Sequence, residues 1–273
     1  MIISASKLLI WANKSVSADL IISTYKRPDA LELVLKSVEM QSTRPRQVII
    51  SDDGSGSNTK LLIDRWKRRL PITHVWQRDA DFRAARVRNL AILRVKSEYV
   101  VTVDGDCILP PDFIRNHLAL AERKKVVVGG RSLLSEVDTE TVIKSKKFET
   151  KGTSIFKGSK FFTLPLGPLR ALQPKNWELA RTCNMGFFQA DVLGVGGFDE
   201  RYVGWGFEDS DLMVRLIRSG ITLKSGRFSV CVAHLYHPEA PRFRNSVNAP
   251  KFDELLNSES THLPSRSCLS TNV

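Results

Sequence analysis

Short apolar runs alternate with stretches of helical spacing over the first hundred residues. Residues 19–24 (DLIIST) are mostly apolar and stop at polar residues and Pro28, which predicts a buried strand followed by a loop. Over 29–41, Leu31, Val34, Leu35 and Val38 recur at helical spacing, with Asp29 as the expected N-cap. VIIS (48–51) predicts a second buried strand ending in Asp52-Asp53-Gly54-Ser55, with a helix at about 58–69. ITHVW (72–76) reads as a third strand, 84–95 as a helix, and YVVTV (99–103) as a strand ending in Asp104-Gly105-Asp106.

This alternation predicts an α/β fold with a Rossmann-like, mainly parallel central sheet and helices on both faces. Ligands bind beyond the carboxyl ends of strands in such sheets. Ser23-Thr24-Tyr25, Asp52-Asp53-Gly54 and Asp104-Gly105-Asp106 all follow apolar strands, so they are expected on one rim. The second half is less regular. It offers strands at 126–130, 184–190 and 230–235, and a helix at 208–219 whose Leu212, Leu216 and Ile217 share a face. Residues 136–180 show no clear period and read as an insertion or a flexible region. The expected organisation is one domain over 1–240, with halves at about 18–106 and about 107–240, and a basic polar tail at 241–273.

Composition narrows the class. Of 273 residues, 42% are hydrophobic and 26% charged, which excludes a disordered chain, a collagen-like fibre and a membrane bundle. The four cysteines form no CxxC pair, so neither a disulfide framework nor a zinc cluster is implied, and a cytoplasmic setting is the default. The apolar stretch at residues 8–12 is too short for a signal-peptide core. Lys and Arg exceed Asp and Glu by 12, and 11 of the basic residues fall within 60–96 against three Asp. Such an excess suits an anionic bilayer, a phosphorylated substrate or a nucleic acid. Aromatics do not interleave with the basic run and no nucleic-acid motif is present, so nucleic acid is not the expected partner.

The acids carry the candidate chemistry. Asp104 and Asp106, one residue apart in a turn, can share a divalent cation, and oxygen ligation favours Mg2+ or Mn2+ bridging substrate phosphates. Asp52 and Asp53 can accept hydrogen bonds from a base or ribose. Gly204-Trp205-Gly206-Phe207 leads into Glu208, Asp209 and Asp211, a set suited to stacking a sugar and taking a proton. His234 and His237 can complete a metal shell or serve as structural hydrogen-bonders.

These pieces, in this order, resemble an inverting glycosyltransferase of family 2 with the nucleotide-sugar-binding GT-A fold. The likeness rests on residues 21–28 (IISTYKRP), 48–55, ARVRNLAI (85–92), YVVTVDGDCILPPDF (99–113) and 184–216. The last stretch resembles the galactosyltransferase-like segment also found in bacterial chondroitin polymerase and animal β-1,4-galactosyltransferases. The resemblance implies that Thr24, Asp52 and Asp53 hold uracil and ribose of a UDP-sugar. It implies that Asp104 and Asp106 form the DxD motif, Asp106 as direct metal ligand. His237, standing before Glu239 and Pro241, is the implied metal-binding histidine, with His234 in reserve. Asp209 is the implied base, Glu208 and Asp211 face the acceptor, and Trp205 stacks on a sugar. Arg86 and Arg88 lie on the helix before the DxD strand, where they can add charge near the diphosphate, or be a solvated face. One departure is Phe207, where the galactosyltransferases carry a second Gly before Glu-Asp. Its bulk is expected to reshape the acceptor pocket. The expected acceptor is a glycan or lipid-linked glycan of bacterial polysaccharide or lipopolysaccharide synthesis, at the cytoplasmic face of the inner membrane. A sugar nucleotidyltransferase is the rival enzyme, weakened by the lack of a Gly-rich phosphate loop with Lys near the N-terminus.

Overall fold

A computed structural model describes residues 17–157, 169–170, 175–179, 181–238, 245–262 and 268. The apolar stretch at 8–12, Glu239, Pro241 and part of the irregular region lie outside the described residues. The apolar runs form strands β1 (Ala18–Thr24), β2 (Val48–Asp52), β3 (Ile72–Trp76) and β4 (Tyr99–Asp104). Between them lie helices α1 (Pro28–Glu39), α2 (Ser57–Trp66) and α3 (Ala84–Ile92). Asp29 does not cap α1. Arg27 holds the cap position and Pro28 opens the helix, where its fixed φ and missing N–H cost nothing. Asp29 instead lies in the first turn, favourable for the helix dipole.

β1 pairs in parallel with β2 and β4, and β2 with β3. Beyond β4 come β10 (Asn184–Phe188), which runs antiparallel, then β6 (Lys125–Val128) and β11 (Thr222–Ser225). The seven-stranded sheet therefore has the order β11-β6-β10-β4-β1-β2-β3. One apolar cluster packs β1 and β2 against α1 and α2, and the other packs the opposite face against α3 and α7 (Glu208–Arg218). Cover on both faces explains why β1, β2 and β4 read as apolar runs without strict alternation.

The expected strand at 126–130 divides. Gly129 N bonds Asn184 O within the main sheet, whereas Gly130 N bonds Val230 O in a second one. That sheet joins β5 (Cys107–Ile108), β12 (Cys231–His234) and β7 (Gly130–Leu133), in that order. The remaining helices are α4 (Phe113–Leu120), α5 (Glu136–Ser145), α6 (Gln189–Gly194) and α8 (Asn245–Leu256), with a short hairpin of β8 (Glu149–Thr150) and β9 (Thr153–Ser154). α5 lies where no period is visible. Only Thr139 and Val142 of that helix are buried, so it leaves almost no apolar stripe, but Ser135 caps it by accepting from Asp138 N at 3.1 Å. α8 lies in the stretch expected as tail and packs Phe252 and Leu255 beside Val214 of α7. The basic run is not wholly exposed: Arg88 is buried, while Lys60 and Lys67 both pair with Asp64. Among the described residues no helix is long and apolar enough to cross a membrane.

At the foot of β1, far along the strand from the candidate rim, Asp19 is fully buried. It accepts from Lys96 N (2.6 Å), Ser97 N (3.2 Å), Ser97 Oγ (2.7 Å) and Gln47 Nε2 (2.6 Å). Removing this acceptor leaves several donors without partners. Asp19→Ala is expected to lower the unfolding free energy by about 2–4 kcal/mol in urea titrations. Unchanged stability would contradict this reading of the β1–α3 junction.

Candidate active site

The register of β1, β2 and β4 brings Thr24, Asp52 and Asp104 to one rim, as their alternation predicted. Gly105 N bonds Ser23 O at 2.7 Å, and a Cβ on Gly105 would stand 2.9 Å from that oxygen. Only glycine lets the Asp104–Asp106 turn close against β1. Because β10 runs antiparallel to β4, the segment entering it, Arg181 to Cys183, reaches the same rim. A cleft of about 620 Å³ opens there, and its lining includes Thr24, Asp53, Arg88, Asp104, Asp106, Trp205, Asp209 and His237.

The two neighbouring acids of β2 have different surroundings. Asp52 is buried away from the cleft, accepting from Ser55 N at 2.8 Å and paired with His74 Nε2 at 2.9 Å. Asp53 lines the cleft, held by Gln77 Nε2 (2.5 Å) and Arg83 N (2.8 Å). Burial raises the Asp53 pKa, opposed by these two hydrogen bonds. Beside it, Thr24 Oγ1 is buried without a hydrogen-bond partner among the described residues.

Arg88 is the hub. Its guanidinium lies 3.0 Å from Glu208, 3.5 Å from Asp209 and 3.7 Å from Asp104, with 8% of the side chain exposed. Burial works against its charge, but Asp209, Glu208 and Asp104 more than offset that and hold it more firmly protonated than usual. Enclosure pushes Asp104 up to about 7 against the pull of Arg88, and its neighbours Asp106, Asp209 and Glu208 push the same way. Burial and the Asp209 charge also raise Glu208. Asp209 accepts from Thr182 N and Thr182 Oγ1, both at 2.9 Å, and remains open to the cleft. Arg86 does not line the cleft. It donates to Gln77 Oε1 at 2.7 Å and so supports the side chain that holds Asp53.

The second sheet builds a donor cluster next to this. β5 follows directly on the Asp106 turn, and β12 pairs with it so that His234 stands opposite Cys107. Asp106, His234 and His237 each bring a donor atom within 4.8 Å of the others. Asp106 lies 3.5 Å from each imidazole and 3.7 Å from Arg27. His237 Nδ1 donates to Pro238 O at 2.9 Å, which leaves a lone pair on Nε2 facing the Asp106 carboxylate. A carboxylate and an imidazole lone pair face to face fit a divalent cation between them, and the mixed oxygen and nitrogen set suits Mn2+. Asp104 lies outside this cluster and faces Arg88.

Two further expectations change, beyond those for Asp52, Arg86 and Asp104. Asp211 does not face an acceptor: it accepts from Arg215 Nε at 2.7 Å and Tyr202 Oη at 3.2 Å, buried beneath α7. Asp211 lies one turn before Arg215, so the two share the buried face of α7, while Asp209, nearly opposite Asp211 around the helix, lines the cleft. Phe207 does not line the cleft either, but stacks on Phe252 of α8 with ring centroids 5.0 Å apart. Arg27, Arg131, Arg181 and Thr182 line the cleft without having been singled out. Arg27 carried a signal, since it directly follows the first strand, whereas Arg131 depends on the β7–β12 pairing that no local pattern announces.

Removing Asp211 leaves the Arg215 charge buried and unpaired. Asp211→Ala is therefore expected to cost about 3–5 kcal/mol in stability, with KM for a nucleotide-sugar donor within about twofold for the folded protein. Lost activity at full stability would place Asp211 in the chemistry instead.

Comparison with known proteins agrees with this geometry. The family model described as glycosyl transferase family 2 matches residues 19–192, and one described as the N-terminal domain of galactosyltransferase matches 172–239. Validoxylamine A glucosyltransferase of Streptomyces hygroscopicus subsp. limoneus is 28% identical over 77% of this chain and 49% of its own length. Chondroitin synthase of Escherichia coli is 25% identical over 88% of this chain and 39% of its own. The chain thus spans half or less of the length of these relatives. The crystal structure of S. aureus TarS 1-349 in complex with UDP-GlcNAc superposes with a TM-score of 0.56 at 14% identity, over 82% of this chain and 60% of that one, and shares the fold. By its matched residues and its GT-A-like sheet, the chain belongs to glycosyltransferase family 2, joined to a galactosyltransferase-like region.

Proposed function

We propose that this chain is an inverting glycosyltransferase that moves a sugar from a UDP-linked donor to a hydroxyl of a glycan. The observation that carries the reading is that Asp209 lines the same cleft as Asp106 and His237 of the Asp106–His234–His237 cluster, with Arg88 3.5 Å from Asp209 and 3.7 Å from Asp104. A cavity of about 620 Å³ suits a nucleotide sugar. Asp53 and Thr24 Oγ1, the latter unpartnered among the described residues, offer hydrogen-bonding groups for a base and ribose in the cleft, which supports the uridine assignment together with the UDP-GlcNAc bound by TarS. The name of the E. coli relative supports a polysaccharide acceptor in bacteria.

Asp106, His234 and His237 would hold a divalent ion, which supplies positive charge to the diphosphate as it leaves. The chain's own residues do the rest. Thr182 holds the Asp209 carboxylate at the cleft wall with two hydrogen bonds, and Asp209 takes the proton of the acceptor hydroxyl. The freed oxygen bonds the anomeric carbon as the bond from that carbon to the phosphate oxygen breaks. A single in-line displacement inverts the centre. Glu208, tied to Arg88 at 3.0 Å and nearly enclosed, sets the Arg88 charge instead of taking this proton. Trp205, 43% exposed at the cleft edge, offers a face for the acceptor sugar.

Asp209→Asn keeps the shape and both Thr182 contacts within reach but removes the base. It is expected to lower transfer kcat by about 10²–10⁴-fold with Mn2+ and a UDP-sugar, and to leave UDP affinity within about threefold. More than a tenth of wild-type kcat in this variant would move the base elsewhere.

A further inference from the structure

The matched family stretches end at residue 239, but the site does not end there. Helix α8, at Asn245–Leu256, packs behind the loop that carries Trp205 into the cleft. Asn248 is completely buried, and its Nδ2 donates to the carbonyls of Val203 and Gly206, both at 3.2 Å, with Trp205 O at 3.5 Å. Lys251 Nζ donates to Asn248 Oδ1 at 3.2 Å, which fixes the way round the amide lies. One side chain therefore serves three carbonyls of the loop from behind.

That loop needs holding. Gly204, Gly206 and Phe207 all have positive φ, at 84°, 107° and 73°. Glycine adopts this region freely, but a bulky residue does not. Phe207 stays there with its ring stacked on Phe252 at an interplanar angle of 21°, while Trp177 meets Phe252 edge-on at 5.0 Å. Phe207 is also the residue from which α7 begins, so its conformation aims Glu208 and Asp209. On the front, Gly204 N bonds Phe82 O at 2.7 Å and Phe82 lines the cleft, so the loop is clamped from both sides.

We propose that α8 is a buttress of the active site, in which Asn248 and Phe252 are positioning residues that set the Trp205–Asp209 segment for the acceptor. This rests on the glycosyltransferase reading for its consequence in rate, but not for its consequence in loop order. Asp53 takes its hydrogen bonds from Gln77 and Arg83 and not from α8, so the buttress acts on the step at the acceptor and not on donor binding.

The test uses the full chain with Asn248→Ala, Phe252→Ala and the double variant Phe252→Ala with Phe207→Gly. Hydrogen exchange of residues 203–209 is expected to quicken at least tenfold in both single variants, with β1, β2 and β4 unchanged. Transfer kcat is expected to fall about tenfold or more at a donor KM within twofold of wild type. Glycine at 207 adopts the positive φ unaided, so the double variant is expected to recover at least part of the rate lost by Phe252→Ala. Unchanged exchange at 203–209, exchange that rises throughout the sheet, a donor KM that rises in step with the loss of kcat, or a deeper loss in the double variant would each overturn the proposal. If wild type transfers no sugar, the functional reading fails, and loop exchange alone decides whether α8 is a buttress.

Discussion

One buried guanidinium joins the two halves of this protein. Arg88 comes from α3 in the first half, and meets Asp104 at the end of β4 and Glu208 and Asp209 at the start of α7. A lone buried cation is costly, and so is a set of acids crowded together with only partial access to water. Each offsets the other, so the helix that carries Glu208 and Asp209 docks against the sheet with its acids turned to the cleft. This charge cluster lies in the same cleft as Asp106 and His237.

The sheet supplies the geometry for that balance. Parallel pairing of β1 with β2 and β4 brings Thr24, Asp53 and Asp104 to one rim, and the reversal at β10 brings Thr182 back to it. The second sheet then sets His234 beside Asp106 through the short β5–β12 pairing. Asp53 shows how such a rim is tuned, since Gln77 and Arg83 fix its two oxygens and Arg86 steadies Gln77 in turn.

Much of this is legible in the sequence because buried parallel strands leave unbroken apolar runs. DLIIST, VIIS and YVVTV mark β1, β2 and β4, and the acids that follow them mark the rim. What is not legible depends on long-range packing. Nothing local says that Asp53 opens to the cleft while Asp52 turns to His74. Asp211 looks like its neighbours Glu208 and Asp209, but helical rotation carries it to Arg215. α5 is mostly solvated and α8 contains Pro250, so neither shows a strong stripe. Phe207 reads in the sequence only as bulk before the acids, and its meaning emerges only with Phe252 behind it.

The central claim is that side chains distant in sequence gather at one cleft to bind a divalent ion and a nucleotide together. Electron paramagnetic resonance of Mn2+ titrated into the protein with UDP reads this directly. The account predicts one bound ion per chain, tightened by UDP and lost in Asp106→Ala. A spectrum of free Mn2+ in the wild-type protein, or equal binding by that variant, would contradict it.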